Sequence, residues 1–245
     1  MSIFENISAI RGRIGAAAHR ASRRPEEIAL MAVSKMFPAG HIREAYAAGQ
    51  RLFGENRVQE FAGKATDLAD LTDIQWHMIG HLQTNKSVKA VQLFAAVDSV
   101  DSLKLAEKLD AEARSGGKRL DVLLEINIGG EAAKTGILPQ SEVLEKLLLA
   151  ASQLEALTFR GLMTVPPYTD DPEGARPYFR KLRELRDSIA GRKLSAVGLD
   201  ILSMGMSHDF EVAIEEGSTC VRVGTGIFGE RENPSAQSHR DTGEP

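Results

Sequence analysis

IALMAVSKMFPAGHIREAYAAGQRLFGEN, residues 28–56, holds the chain's first strand–helix–strand passage. Ile28–Val33 is an apolar run of buried-strand length that stops abruptly at Ser34 and Lys35. His41–Gly49 then has the spacing of an amphipathic helix, and Arg51–Asn56 returns to a strand-like run. Two strands joined by a helix pair in parallel through a right-handed crossover. Working outward, strand-like runs recur at 75–80, 94–100, 121–127, 159–165, 201–207 and 220–226, which brings the total to eight. Helical stretches at 58–69, 102–115, 141–154 and 174–189 lie between them. Eight such units predict a single α/β (β/α)8 TIM-like barrel, which a chain of 245 residues suits. The rival is an open doubly wound sheet. Ahead of the first strand, Ser2 and Glu5 have capping-box spacing, and Ile3, Ile7, Ile10 and Ile14 follow at helical intervals. An extra N-terminal helix is expected from about residue 3 to the cluster at 23–25.

Composition narrows the function classes. Apolar residues at 42% and charged residues at 26% are those of a globular chain, and a formal charge of −4 offers no basic footprint for nucleic acid or an anionic membrane. No apolar run approaches the roughly 20 residues of a membrane span, and the N-terminus lacks the pattern of a signal peptide. With one cysteine, Cys220, no internal disulfide forms, so a reducing cytoplasm is expected. Cys220 itself reads as a small buried residue of a Val-rich strand. One domain is expected over 1–230, followed by a disordered polar tail at 231–245.

In a barrel, the active face is built at the C-terminal ends of the strands. Those ends are where this sequence turns polar, at Ser34 and Lys35, Glu55 and Asn56, His77 and His81, Asp98, Glu125, Thr164, Ser203, Ser207, Arg222 and Thr225. Lys35 follows its apolar strand directly, where partial desolvation would free an amine to attack a carbonyl; alone, it reads as a solvated charge. The loops after the last two strands, SMGMSHDFEVAIEEG (203–217) and VGTGIFGE (223–230), change that weighting. Gly205, Gly224 and Gly226 allow close backbone approach to an anion, and Ser207 and Thr225 add hydroxyl donors. Ser207 is read as N-cap of a helix at 209–216. A phosphate grip on one side of the mouth and a lysine on the other fit a phosphorylated aldehyde cofactor, pyridoxal 5′-phosphate (PLP). Arg222 alternates with Val221 and Val223 and so faces away from them, toward the mouth. Near a pyridine nitrogen it would keep that nitrogen unprotonated; a phosphate contact or a structural ion pair are its other readings.

Taken together, AVSK (32–35), FGENRVQE (53–60), WHMIGHLQTNK (76–86), KTGI (134–137), GLMTV (161–165), LSMGMSHDFEVAI (202–214) and GSTCVRVGTGIFG (217–229) resemble the YggS/PROSC family of PLP homeostasis proteins, from about residue 2 to 230. The resemblance implies a barrel like the N-terminal domain of alanine racemase (PLP fold type III), with PLP in an internal aldimine on Lys35. It implies phosphate contacts from Ser207, Gly224 and Thr225, a pyridine-nitrogen contact from Arg222, and Asn56 beside the cofactor. It further implies a carrier that buffers or delivers PLP, with apo-PLP enzymes as transient clients, and not an enzyme. Alanine-racemase-like enzymes carry a second β domain that supplies a catalytic tyrosine across a dimer interface. This chain ends before such a domain, so a monomer is expected.

Two other functions stay open on the sequence. One is a PLP-dependent amino-acid racemase, which would need a second acid or base opposite Lys35; Tyr46, Tyr168 and Tyr178 lack the setting of one. The other is a barrel enzyme that binds a phosphorylated metabolite and uses Lys35 for carbonyl chemistry. His77 and His81 are four apart but lie on a strand end and its loop without an HExxH pattern, so no metal is expected. Lys86 and Lys134 read first as solvated charges, with a role as transfer amines ranked below that.

Overall fold

The computed structural model describes residues 1–230, so the expected tail at 231–245 lies outside the described residues. Eight parallel strands, β1 (Ala29–Val33), β2 (Leu52–Glu55), β3 (Gln75–Met78), β4 (Ala96–Val100), β5 (Leu120–Glu125), β6 (Leu157–Met163), β7 (Val197–Met206) and β8 (Cys220–Val223), close into a barrel in sequence order. The (β/α)8 barrel replaces the open-sheet rival because β1 pairs with β8, Leu30 opposite Val221 and Ala32 opposite Val223. Helices α1 (Ile3–Arg20), α2 (Ala39–Ala47), α3 (Val58–Lys64), α4 (Ser87–Leu93), α5 (Leu103–Ser115), α6 (Glu142–Ala150), α7 (Arg176–Gly191), α8 (Phe210–Glu215) and α9 (Thr225–Phe228) complete the order.

The extra helix α1 starts where its capping box predicts: Ser2 Oγ accepts from the Glu5 amide, and Glu5 Oε2 accepts from the Ser2 amide at 2.8 Å. It buries Ile3, Ile7, Ile10 and Ile14 along one stripe, each worth about 1.5–3 kcal/mol of transfer free energy. That stripe packs with Val221, Val223, Phe210 and Ile227, the outward faces of β8, α8 and α9. Asn6 adds a hydrogen bond from Nδ2 to the Ile227 carbonyl at 2.8 Å. The N-terminal helix therefore backs the loops after β7 and β8.

Period-two alternation sends the other faces inward. On β8, Val221 and Val223 join the helix-facing core while Cys220 and Arg222 face the barrel interior, and on β5 the helix-facing Leu120, Val122 and Leu124 leave Leu123 and Glu125 inside. Cys220 is buried, and burial pushes its thiol up to about 12, so it behaves as a small apolar filler. Two elements differ from expectation. β7 begins at Val197, four residues before the apolar run that marked it, because a register irregularity beside β6 carries pairing back through half-exposed Val197–Leu199. Helix α4, seven residues long and centred on Ala90 and Val91, has no periodic stretch of its own in the sequence, where only the polar pair Asn85 and Lys86, read as a helix start, marks where it begins. No helix among the described residues is long and apolar enough to cross a membrane.

Candidate functional site at the barrel mouth

Lys35 lies just beyond β1 in the turn 34–37, closed by a hydrogen bond from the Phe37 amide to the Ser34 carbonyl at 3.1 Å. Its neighbour Met36 has φ 65°, left-handed for a side-chain-bearing residue, at a cost of order 1–2 kcal/mol. Lys35 is partly buried and lines a groove of about 750 Å3 with Asn56 from the loop after β2. Asn56 is held from behind by Gly80: a Cβ there would stand 2.4 Å from the Asn56 carbonyl oxygen, so no larger residue fits without moving Asn56.

The loops after β7 and β8 meet at one point. Ser207 Oγ accepts from the Gly226 amide at 3.4 Å and lies 3.2 Å from Thr225 Oγ1. This corrects the reading of Ser207 as a helix N-cap. Helix α8 starts at Phe210, Asp209 occupies the cap position, and Ser207, two residues further upstream, turns its hydroxyl to the β8 loop instead. Asp209 is buried and accepts from the Met206 amide at 2.6 Å; burial raises its carboxyl above the usual range. Gly205 lets this turn form, since at φ 95° a Cβ would come within 2.6 Å of the Ala213 Cβ. Because β8 and β1 are neighbours, the glycine and hydroxyl loop and Lys35 sit on adjacent strands, not on opposite sides of the mouth. A Cβ on Gly224 would lie 3.3 Å from the Val33 carbonyl oxygen, two residues before Lys35.

Arg222 reaches inward and across, donating from Nη1 to Ser203 Oγ and from Nη2 to the Thr164 carbonyl, both at 2.7 Å. Among the described residues these acceptors are neutral. Burial of the guanidinium pulls its pKa below the ordinary value, opposed by Asp98, Asp209 and Glu125, which share the interior. Its hydrogen bonds run toward β6 and β7 and leave the Gly224–Gly226 turn to the hydroxyls. Glu125 accepts from Thr135 Oγ1 at 3.0 Å, and its other carboxylate oxygen is buried without a hydrogen-bond partner; burial raises its carboxyl.

His77 and Asp98 form a pair at 3.0 Å. Burial works against the imidazolium, but the Asp98 charge and hydrogen bond outweigh it, holding His77 above the ordinary 6.5. The raised pKa contributes stability that is complete below about 6.5 and is lost as pH rises through the folded value. Thermal melts of His77→Gln should therefore lose less stability than the parent between pH 6 and 8.5; equal losses would remove His77 as the source. His81 pairs with Asp101 at 3.2 Å, Lys134 pairs with Glu131 and donates to the Pro166 carbonyl, and Lys86 ends a short 3-10 turn. Tyr46 and Tyr178 belong to helices α2 and α7, while Tyr168, in the loop after β6, stacks on His208 with ring centroids 5.6 Å apart. A groove of about 1290 Å3 between α6 and α7 contains none of the proposed site residues.

Residues 6–232 match the family model described as alanine racemase, N-terminal domain. The chain is 46% identical over 232 residues to the pyridoxal phosphate homeostasis protein of Aquifex aeolicus, covering 95% of this chain and 100% of the relative. It is 43% identical to the Escherichia coli K12 protein of the same name, covering 94% of this chain and 97% of the relative. It belongs to the pyridoxal phosphate homeostasis protein family. A solved structure of PipY of Synechococcus elongatus, described with PLP bound, superposes with TM-score 0.81 at 39% identity, covering 93% of this chain and all of that one. The alanine racemase of Clostridium difficile, at TM-score 0.68 and 16% identity, shares the barrel over 58% of its own length, a likeness of fold alone.

Glu55 is one of the polar strand ends singled out in the sequence, but its cluster with Glu60 and Lys64 behind the Lys35 turn is not foreseen there. Its only sequence signal is an EN…E…K spacing that reads equally well as a solvated helix face.

Proposed function

We propose that residues 1–230 form a PLP-binding unit that takes part in PLP homeostasis, holding the cofactor as a Schiff base on Lys35 and buffering or delivering it to apo-PLP enzymes. The observation that carries this reading is the closure of the barrel: pairing of β1 with β8 sets Lys35 one strand from the Ser207, Thr225 and Gly226 cluster. That donor set suits a phosphate monoester, with two hydroxyls and a glycine turn facing the mouth. Its relatives' printed name and the PLP-bound PipY structure point the same way.

When bound, PLP supplies an aldehyde that exchanges imines with amines and an aromatic ring that withdraws electrons. The chain's part would be to present the Lys35 amine at the aldehyde carbon, where imine exchange, reversible by water, would tether and release the cofactor. Ser207, Thr225 and Gly224 would fix the phosphate, Asn56 would flank the ring, and Arg222 would face the pyridine nitrogen. A buried guanidinium there does not share its proton and disfavours a second cation, so the ring remains a weak electron sink. This favours holding over turnover. A cytoplasmic site of action fits the single, buried Cys220.

Two measurements test the reading. Titration with PLP should give a visible absorption band, and Ser207→Ala with Thr225→Ala should weaken PLP roughly 10- to 100-fold while leaving phosphate-free pyridoxal nearly unchanged, about 1.4–2.7 kcal/mol for the lost hydrogen bonds. Equal weakening of both ligands would place the phosphate elsewhere. For the non-catalytic role, the loaded protein should incorporate no solvent deuterium at Cα across a panel of amino acids. Steady exchange with any one of them would restore the racemase alternative.

A further inference from the structure

Lysine is almost never buried unless its charge is partnered, and Lys64 at the end of α3 has a side chain only 11% exposed. Its ammonium has three donors and uses them on three acceptors: the Ser34 carbonyl at 3.0 Å, the Phe37 carbonyl at 3.2 Å and Glu55 Oε1 at 2.8 Å. The two carbonyls bracket Lys35 and Met36. Glu55 is fully buried and also accepts from Ser34 Oγ at 2.6 Å, so one carboxylate ties the ammonium to the start of the same turn. Glu60, one helical turn before Lys64, accepts the Met36 amide. The left-handed Met36 would relax if the turn were free; here its amide and the carbonyls on either side are gripped from a separate part of the chain.

From this geometry we infer that Lys64 and Glu60 are positioning residues, a clamp from α3 that fixes the backbone turn carrying Lys35 so that its amine is presented ready to react. The inference rests on the proposed role of Lys35, but the clamp itself is a property of the protein without ligand. Lys64 does not form the covalent link. It removes the ordering cost that a loose 34–37 turn would otherwise charge against PLP binding.

Hydrogen–deuterium exchange of the ligand-free protein, read on peptides covering 34–37, tests the clamp directly. In Lys64→Met these amides should exchange roughly tenfold faster or more, with the β5 and β6 peptides unchanged. Because Lys64→Met leaves Glu55 buried without its cation and could loosen the whole barrel, Glu60→Gln is the second variant. It weakens the charge-assisted acceptor of the Met36 amide and the 3.6 Å ion pair with Lys64, both on a partly exposed carboxylate, and should raise exchange mainly at 36–37. For the loaded protein, the Kd for PLP should rise roughly tenfold in Lys64→Met, and the pH midpoint of the visible band should move upward as a neighbouring cation is lost. Unchanged exchange at 34–37 in both variants overturns the inference whether or not PLP binds. Absence of a visible band in the parent protein would instead defeat the Lys35 reading, with the exchange result still deciding the clamp.

Discussion

Lys35→Ala should abolish the visible band of the PLP-loaded protein and leave a cofactor that gel filtration strips away. The variant should fold: Lys35 is partly buried at the edge of the mouth, and its turn is held through the backbone of Ser34, Met36 and Phe37. Its melting temperature should remain within a few degrees of the parent. The Ser207 and Thr225 hydroxyls, Asn56 and Arg222 should retain weak, reversible PLP binding, detectable by equilibrium titration at a Kd at least about 100-fold above the parent's. An unshifted visible band in Lys35→Ala would mean that another amine forms the link, with Lys86 and Lys134 the first to examine.

The second large effect is expected at Arg222. Replacement by Met removes the donors to Ser203 Oγ and the Thr164 carbonyl and takes the cation away from Asp98, Glu125 and Asp209, all buried around the same interior. A charged donor contributes about 1.5–3 kcal/mol per hydrogen bond, and stranding buried carboxylates adds to that, so a loss on the order of 3–5 kcal/mol is expected. In a chain of this size that is a fall of roughly 10 °C in melting temperature. Arg222→Gln, which preserves an N–H donor at reduced length, should recover part of the stability but not the ligand-binding strength if the guanidinium also faces the cofactor ring. A melting temperature within about 2 °C of the parent for Arg222→Met would show that the interior carboxylates do not depend on it.

The barrel was legible because most crossover units carry their own local signal: an apolar strand, a polar strand end and an amphipathic helix. The capping box at Ser2 and Glu5 set the start of α1 to the residue. What escaped were the segments whose structure depends on neighbours. Val197–Asp200 pairs as the start of β7 without an apolar pattern, and α4 is too short for its periodicity to stand out. At the site, the strand-end pattern drew attention to Lys35, Asn56, Ser207, Arg222, Gly224 and Thr225, and the fold places all six at the end of the barrel where their strands finish. The direction of Ser207 was misread because capping statistics see only the next helix, while its partner, Gly226, lies 19 residues on in another loop. The adjacency of the phosphate turn and the lysine follows from barrel closure, which no local window contains. The Lys64 clamp is hidden for the same reason: its contacts with Ser34 and Phe37 span 30 and 27 residues.

The central claim is that Lys35 is the covalent tether. Borohydride reduction of the PLP-loaded protein followed by peptide mapping tests it most directly. The account predicts a single pyridoxyl adduct on the peptide containing Ala32–Lys35, at Lys35; an adduct on any other lysine, or a loaded protein with none, would contradict it.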